Sequence, residues 1–179
     1  MSVPPRPAMR AEGLVAHTAA RVIAASPQDL YRVAVHDPLE ALIPGGGGLP
    51  GVTATEDLPG PAWGRDGARR RVLMADGGHA YEAVVQAAPD RASPLFRYQV
   101  WGVSGLPRLL IGHAQGRFVF DPEGEGRGAE GEATRLAWTY AFAPRAGLLR
   151  PVVARFVRTR FAAFMEAALD AIEARAEGL

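Results

Sequence analysis

The stretch from Leu148 to Ala176 reads as one long helix, and it constrains the chain more than any other segment. Wound at about 100° per residue, it puts Val153, Val157, Phe161, Phe164, Ala168, Ala171 and Ile172 on one continuous arc, which Phe156 and Ala167 extend. Arg155, Arg158, Glu166, Asp170 and Glu173 fall on the opposite face. Arg160 breaks the division, because it projects between Phe156 and Val153, inside the apolar arc. A helix with such a stripe needs an apolar surface to lie on, and at 1.5 Å per residue it spans roughly 40 Å. A guanidinium set into the stripe suggests a polar anchor in an apolar compartment.

The rest of the chain reads as the sheet that receives this helix. Thr18 to Ala25 is β-compatible, and Val52 to Leu58, Ala68 to Ala75, His79 to Ala88, Leu95 to Trp101, Ala114 to Phe120 and Ala133 to Phe142 follow. Asp76-Gly77-Gly78 is a strong hairpin signal between the third and fourth runs. Ser26 caps one short helix with Pro27 at its first position, and Asp37 caps a second, which Pro44 and Gly45 to Gly48 end. The stretch Gly102 to Gly112, with Leu106, Leu109, Leu110 and Ile111, reads as a loop, a lid or a bent strand entry. Glu123 to Gly131 reads as an acidic loop. Residues 1–14 read as a flexible tail and 15–179 as a single domain. Segregated helices and a strand meander mean α+β. About six or seven antiparallel strands form a curved sheet wrapped around the C-terminal helix, with two short helices after strand 1. A strongly curved sheet gripping one helix leaves a space between them.

Composition removes whole classes of chemistry. The chain is 48% hydrophobic and 22% charged, with a net charge of +1, so nothing in its charge calls for nucleic acid. All twenty basic residues are Arg. Without Lys there is no Schiff-base amine and no phosphate-loop lysine. Without Cys there is no disulfide, thiolate nucleophile or thiolate metal site. The four His residues, at 17, 36, 79 and 113, make no pair at metal spacing, so neither metal nor cofactor is expected. The N-terminus has no secretory h-region and no run reaches about 20 apolar residues. The expectation is a cytoplasmic protein with no transmembrane segment. Gly126-x-Gly128-x-x-Gly131 precedes a strand instead of opening a helix, so it offers no pyrophosphate site.

Ser-Pro-Gln-Asp-Leu-Tyr (26–31), Leu-Ile-Pro-Gly (42–45) and Glu-Ala-Thr-Arg-Leu-Ala-Trp-Thr-Tyr (132–140), in this order of elements, resemble the START-like helix-grip superfamily (SRPBCC). That group includes polyketide cyclases/dehydrases, pollen-allergen-type proteins and lipid-transfer domains. The likeness runs from about residue 16 onward. It implies a sheet around a C-terminal helix with an interior pocket for a hydrophobic or aromatic molecule. It carries no catalytic residue over.

The expected pocket is lined by Arg160, Trp138, Tyr140, Tyr98, Phe156, Phe164, Val153 and Val157. Period-two alternation gives Leu136, Trp138, Tyr140 and Phe142 one shared apolar face, and buried Trp and Tyr need partners for their polar tips. Arg160 has three readings: it snorkels to solvent, it pairs with Glu82 or Glu56, or it meets a ligand anion or carbonyl. His79, His113 and Tyr81 are the candidate acid/base groups, with Tyr98 and Glu82 beside them. Alternation puts His79 and Tyr81 on one side of their strand and Glu82 on the other. Three functions fit. The first is binding of a small hydrophobic or aromatic molecule, in a monomer or a homodimer. The second is a cyclase or dehydratase using a pocket His or Tyr. The third is a protein-interaction module docking through residues 102–112, which a cavity below roughly 300 Å³ would favour.

Overall fold

The computed structural model describes residues 3–105, 107–123 and 132–178. Seven antiparallel strands form one curved sheet. They are β1 (Val15–Ile23), β4 (Val52–Asp57), β5 (Arg69–Met74), β6 (His79–Ala88), β7 (Leu95–Trp101), β8 (Ile111–Glu123) and β9 (Ala133–Pro144). Their order across the sheet is β1-β9-β8-β7-β6-β5-β4, so only the first strand leaves sequence order. The stretch that reads as an acidic loop, with its GxGxxG spacing, lies outside the described residues beyond Glu123, as does Leu106.

Between β1 and β4 come α1 (Pro27–His36), α2 (Leu39–Leu42) and a small hairpin of β2 (Gly45–Gly46) and β3 (Leu49–Pro50). Ser26 caps α1, its hydroxyl accepting from the Asp29 N–H at 3.1 Å. Asp37 does not cap α2. It closes the end of α1 and accepts from Arg175 Nε at 2.8 Å, a carboxylate drawn to a guanidinium on the terminal helix instead of to a four-residue helix. Residues 102–105 form no helix or strand, and Pro107–Leu110 forms the short helix α3, which leads into β8.

The terminal helix runs as α4 (Arg150–Phe156), a π-turn over Val157–Phe161, and α5 (Ala162–Ala176). Its buried stripe is Val153, Val157, Phe161, Met165, Ala168, Leu169, Ile172 and Ala176. The hairpin β2–β3 packs backbone to backbone against it. A β-carbon on Gly46 would stand 3.1 Å from the Ala163 carbonyl, and one on Gly47 would collide with the Arg160 carbonyl. Gly47 and Gly48 take φ of 58° and 76°, as a tight hairpin turn of this hand requires. On the other edge, Arg21 of β1 reaches Glu166 at 3.1 Å, Glu173 at 3.0 Å and Asp170, pinning α5 to the sheet margin. No helix among the described residues is long and apolar enough to cross a membrane.

Residues 3–13, which read as a loose tail, form no helix or strand, yet side chains of the outer sheet face hold them. Trp101 Nε1 donates to Pro4 O at 3.0 Å, Gln99 Nε2 to Pro7 O at 2.9 Å and Gln115 Nε2 to Arg10 O at 2.8 Å.

The glycine contacts predict a contrast. Gly47→Ala combines a left-handed backbone with a backbone clash, whereas Gly77→Ala meets only the backbone term, at φ 80° with open space around it. Urea unfolding is expected to show about 1–2 kcal/mol lost at Gly77 and more at Gly47.

Candidate functional site

Over β7, β8 and β9 the concave face of the sheet is a wall of rings. Alternation turns Phe96 and Tyr98 of β7, Phe118 and Phe120 of β8, and Trp138, Tyr140 and Phe142 of β9 to the same side. Tyr98, Phe118, Trp138, Tyr140 and Phe142 meet their neighbours at centroid distances of 5.0–6.1 Å. Gly116 makes this possible, since a β-carbon there would land on the Tyr98 ring. Tyr98 therefore lies across β8, and its hydroxyl accepts from Trp138 Nε1 at 3.1 Å.

Between this wall and the helix lies a cavity of about 150 Å³. Phe161, Phe164 and Ile172 close it on the helix side, and Leu39, Leu42 and Ile43 close one end. Dry apolar cavities of roughly this size accept a benzene-sized molecule. Ligand pockets usually exceed about 300 Å³, so the volume by itself falls on the side that favours the interaction reading, and a guest larger than a single ring would have to part these side chains.

One charged pair enters this apolar space. Arg70 and Glu82 stand opposite each other on β5 and β6, and both face inward. Arg70 donates to Glu82 Oε2 from Nε at 2.8 Å and from a terminal nitrogen at 2.7 Å. Both bonds go to the same oxygen, and Oε1 has no hydrogen-bond partner among the described residues. The Trp63 ring covers Arg70 with its centroid 3.5 Å from the guanidinium carbon, a cation–π contact. Trp63 is itself fixed by donating to Val35 O at 3.0 Å.

Burial, with Glu82 nearby, raises the Tyr98 hydroxyl far above the usual phenol range. Burial likewise raises Tyr140, helped by Tyr98 and Glu82. Both phenols keep their protons and act as hydrogen-bond donors, not bases. Tyr31, outside the cavity, is pushed up to about 12 by burial, and its hydroxyl has no partner among the described residues.

The sequence-based site residues divide cleanly. Trp138, Tyr140, Tyr98 and Phe164 line the cavity. Val153 and Val157 are fully buried in the packing between helix and sheet, and Phe156 rests half-buried against Phe142 and Phe161. Arg160 is exposed and lies beside the Gly47–Gly48 turn, not in the cavity. The buried stripe centres on Phe161 and Met165 instead of Val153 and Phe156, which leaves Arg160 on its rim. Arg160 pairs with neither proposed acid: Glu82 is taken by Arg70, and Glu56 lies 3.3 Å from Arg71. His79, Tyr81 and His113 stand on the outer face, across the sheet from the cavity. Tyr81 packs on Trp101, with His79 beside it. His113 lines an outer groove of about 470 Å³ with Pro7–Arg10. Alternation explains all three, because strands that turn Glu82 and Ala114 inward turn these outward.

Arg70 and Trp63 escape a reading of the sequence. Arg70 is the middle of three consecutive arginines, and only the register of the Asp76–Gly78 hairpin sets it opposite Glu82. Trp63 sits in a Pro- and Gly-rich loop without periodicity.

The family model described as polyketide cyclase / dehydrase and lipid transport matches residues 15–177. The chain belongs to this family. Comparison with curated proteins finds no match. Among solved structures, Ara h 8.0201 is similar at 15% identity and a TM-score of 0.66, covering 93% of this chain and all of its own. Truncated norcoclaurine synthase from Thalictrum flavum is similar at 16% identity and 0.61, covering 92% of this chain and 96% of that one. The protein TTHA0849 from Thermus thermophilus reaches 20% identity and 0.62, covering 91% and 97%. At these identities the likeness is one of fold, the helix grip that the polyketide cyclase / dehydrase and lipid transport family shares with them.

Two expectations follow for the site. Glu82→Gln or Arg70→Met alone strands one buried partner and should cost about 3–5 kcal/mol in urea unfolding, whereas the double variant Arg70→Met/Glu82→Leu should recover most of that loss. The phenols set an alkaline limit. A phenol whose pKa rises on folding binds its proton more tightly in the native state, so its contribution is intact below the unfolded value of about 10 and is lost as pH climbs above it. Stability should fall above about pH 10, and Tyr98→Phe should flatten that fall.

Proposed function

We propose that this protein binds a small, mainly apolar molecule carrying an aromatic ring and one polar group in the cavity between sheet and terminal helix. The observation that carries the proposal is the Arg70–Glu82 pair, set under Trp63 into a cavity otherwise lined by aromatic and aliphatic side chains. The rings offer stacking surface, and the open carboxylate oxygen and the two protonated phenols offer orientation. Family membership supports a hydrophobic guest, and the small cavity favours a compact one over a long acyl chain. The proposal assumes a cytoplasmic protein.

The cyclase or dehydratase reading has a narrower form than the sequence alone allowed. Its base would be Glu82 and its hydrogen-bond donors Tyr98 and Tyr140, because burial holds both phenols protonated. The histidines on the outer face take no part in it.

A thermal-shift series with bicyclic and monocyclic phenols tests the proposal. Ligand binding raises stability by about 2.7 kcal/mol at a hundredfold excess over Kd. Monocyclic phenols should raise Tm, and Arg70→Met/Glu82→Leu should abolish selectivity for the phenol over the unsubstituted ring. Absence of any shift across the series, with tryptophan emission unchanged, would remove the ligand-binding reading.

A further inference from the structure

We propose that the rim formed by α3, the turn Arg145–Leu149 and the first turns of α4 docks on an anionic lipid surface. Five large apolar side chains are strongly exposed among the described residues, and three of them belong to this rim: Leu109 at 60%, Leu148 at 81% and Val152 at 50%. Leu148 and Val152 are one helical turn apart and share a face. Arg145 ties the two parts of the rim together. Its backbone N–H donates to Leu110 O at 2.9 Å, and its guanidinium donates to Arg108 O. Leu109 and Leu148 therefore stand at the same end of the molecule.

Up to Met165, the helix that leaves this rim carries charge of one sign. From Arg145 to Met165 the chain carries Arg145, Arg150, Arg155, Arg158 and Arg160 and no Asp or Glu. All five are exposed, and Arg108 adds a sixth from α3. None lies within ion-pair distance of a carboxylate among the described residues, whereas Arg21, Arg70, Arg71 and Arg175 are all paired. The acids of the terminal helix, Glu166, Asp170 and Glu173, begin only where α5 turns to Arg21.

Arginines alone would fit any polyanion. The exposed leucines and valine select among them, because a phosphodiester chain offers no apolar layer to receive Leu148. Apolar side chains flanked by arginines fit the headgroup boundary of a bilayer, where the tips enter the acyl region and the cations meet anionic headgroups. Docking also has a use, since Ile111 and Phe142 of the cavity wall lie beside this rim. The inference does not require an occupied cavity, so its failure leaves the ligand proposal standing, and the reverse holds too.

Vesicle co-sedimentation with the full chain tests it. Binding is expected to phosphatidylcholine vesicles doped with phosphatidylserine and not to phosphatidylcholine alone, and it should weaken as salt rises. Arg145→Gln and Arg155→Gln should each weaken binding roughly fivefold. Leu148→Ser should weaken it as well, while Val22→Ser, an exposed valine on β1 away from this rim, should not. Circular dichroism and urea unfolding confirm that the exposed-site variants fold. No binding to phosphatidylserine vesicles at low salt would overturn the proposal. So would loss in the arginine variants with none in Leu148→Ser, which would point to an acidic macromolecule at this rim instead.

Discussion

The buried stripe from Val153 through Val157, Phe161 and Met165 to Ile172 seats the terminal helix on the sheet, and the interior follows from that contact. Apolar burial is strong but does not choose a register. Polar and backbone contacts choose it here: Arg21 grips three carboxylates on one side of α5, Arg175 reaches Asp37, and the glycine hairpin meets the helix backbone on the other side. Over β7, β8 and β9 the surface beneath is made of flat rings in stacked and edge-on contact. Rings tile a concave face well but cannot interdigitate with a round helix as branched aliphatic side chains do. The void left over is the cavity. Its small volume and its aromatic wall therefore have the same cause.

Much of this architecture is legible in the sequence. Alternation and the Asp-Gly-Gly turn place β6 and β7 at their observed bounds, and Trp138 and Tyr140 share an inward face with Tyr98. The helix is legible as a helix but not in its phase. It is rich in Ala, with apolar residues round more than half its circumference, so several arcs fit almost equally well. The arc that includes Phe156 leaves out Met165 and Leu169, both fully buried, and draws Arg160 inward by the same rotation. The π-turn at Val157–Phe161 adds to the shift, because a uniform 100° wheel does not carry its phase across it.

Other features resist a sequence reading for a different reason: they join residues far apart by side-chain contact. The Pro-rich N-terminal stretch has no periodicity, and what orders it is the reach of Gln99, Trp101 and Gln115 from the outer face. This strap also covers much of the outer face near Trp101, which accounts for an aromatic pair, Tyr81 and Trp101, on the side away from the core. The inward group of Arg69-Arg70-Arg71 is decided by the hairpin and by Glu82 across from it, not by any property of the three arginines.

The Arg70–Glu82 pair bears on function because stability does not explain it. Two charges taken out of water lose several kcal/mol of hydration each, and their attraction in a dry space repays that loss only with good geometry and further hydrogen bonds. Here both bonds converge on one carboxylate oxygen, and an aromatic ring covers the guanidinium in place of another hydrogen-bond partner. An aliphatic pair of similar size would fill part of the void and satisfy the same strands at lower cost. What an aliphatic pair could not do is present an open acceptor beside two protonated phenols. That difference is what the proposed guest, entering the cavity with a hydrogen to donate, would use, and it is why the proposal rests on these two residues more than on the rings.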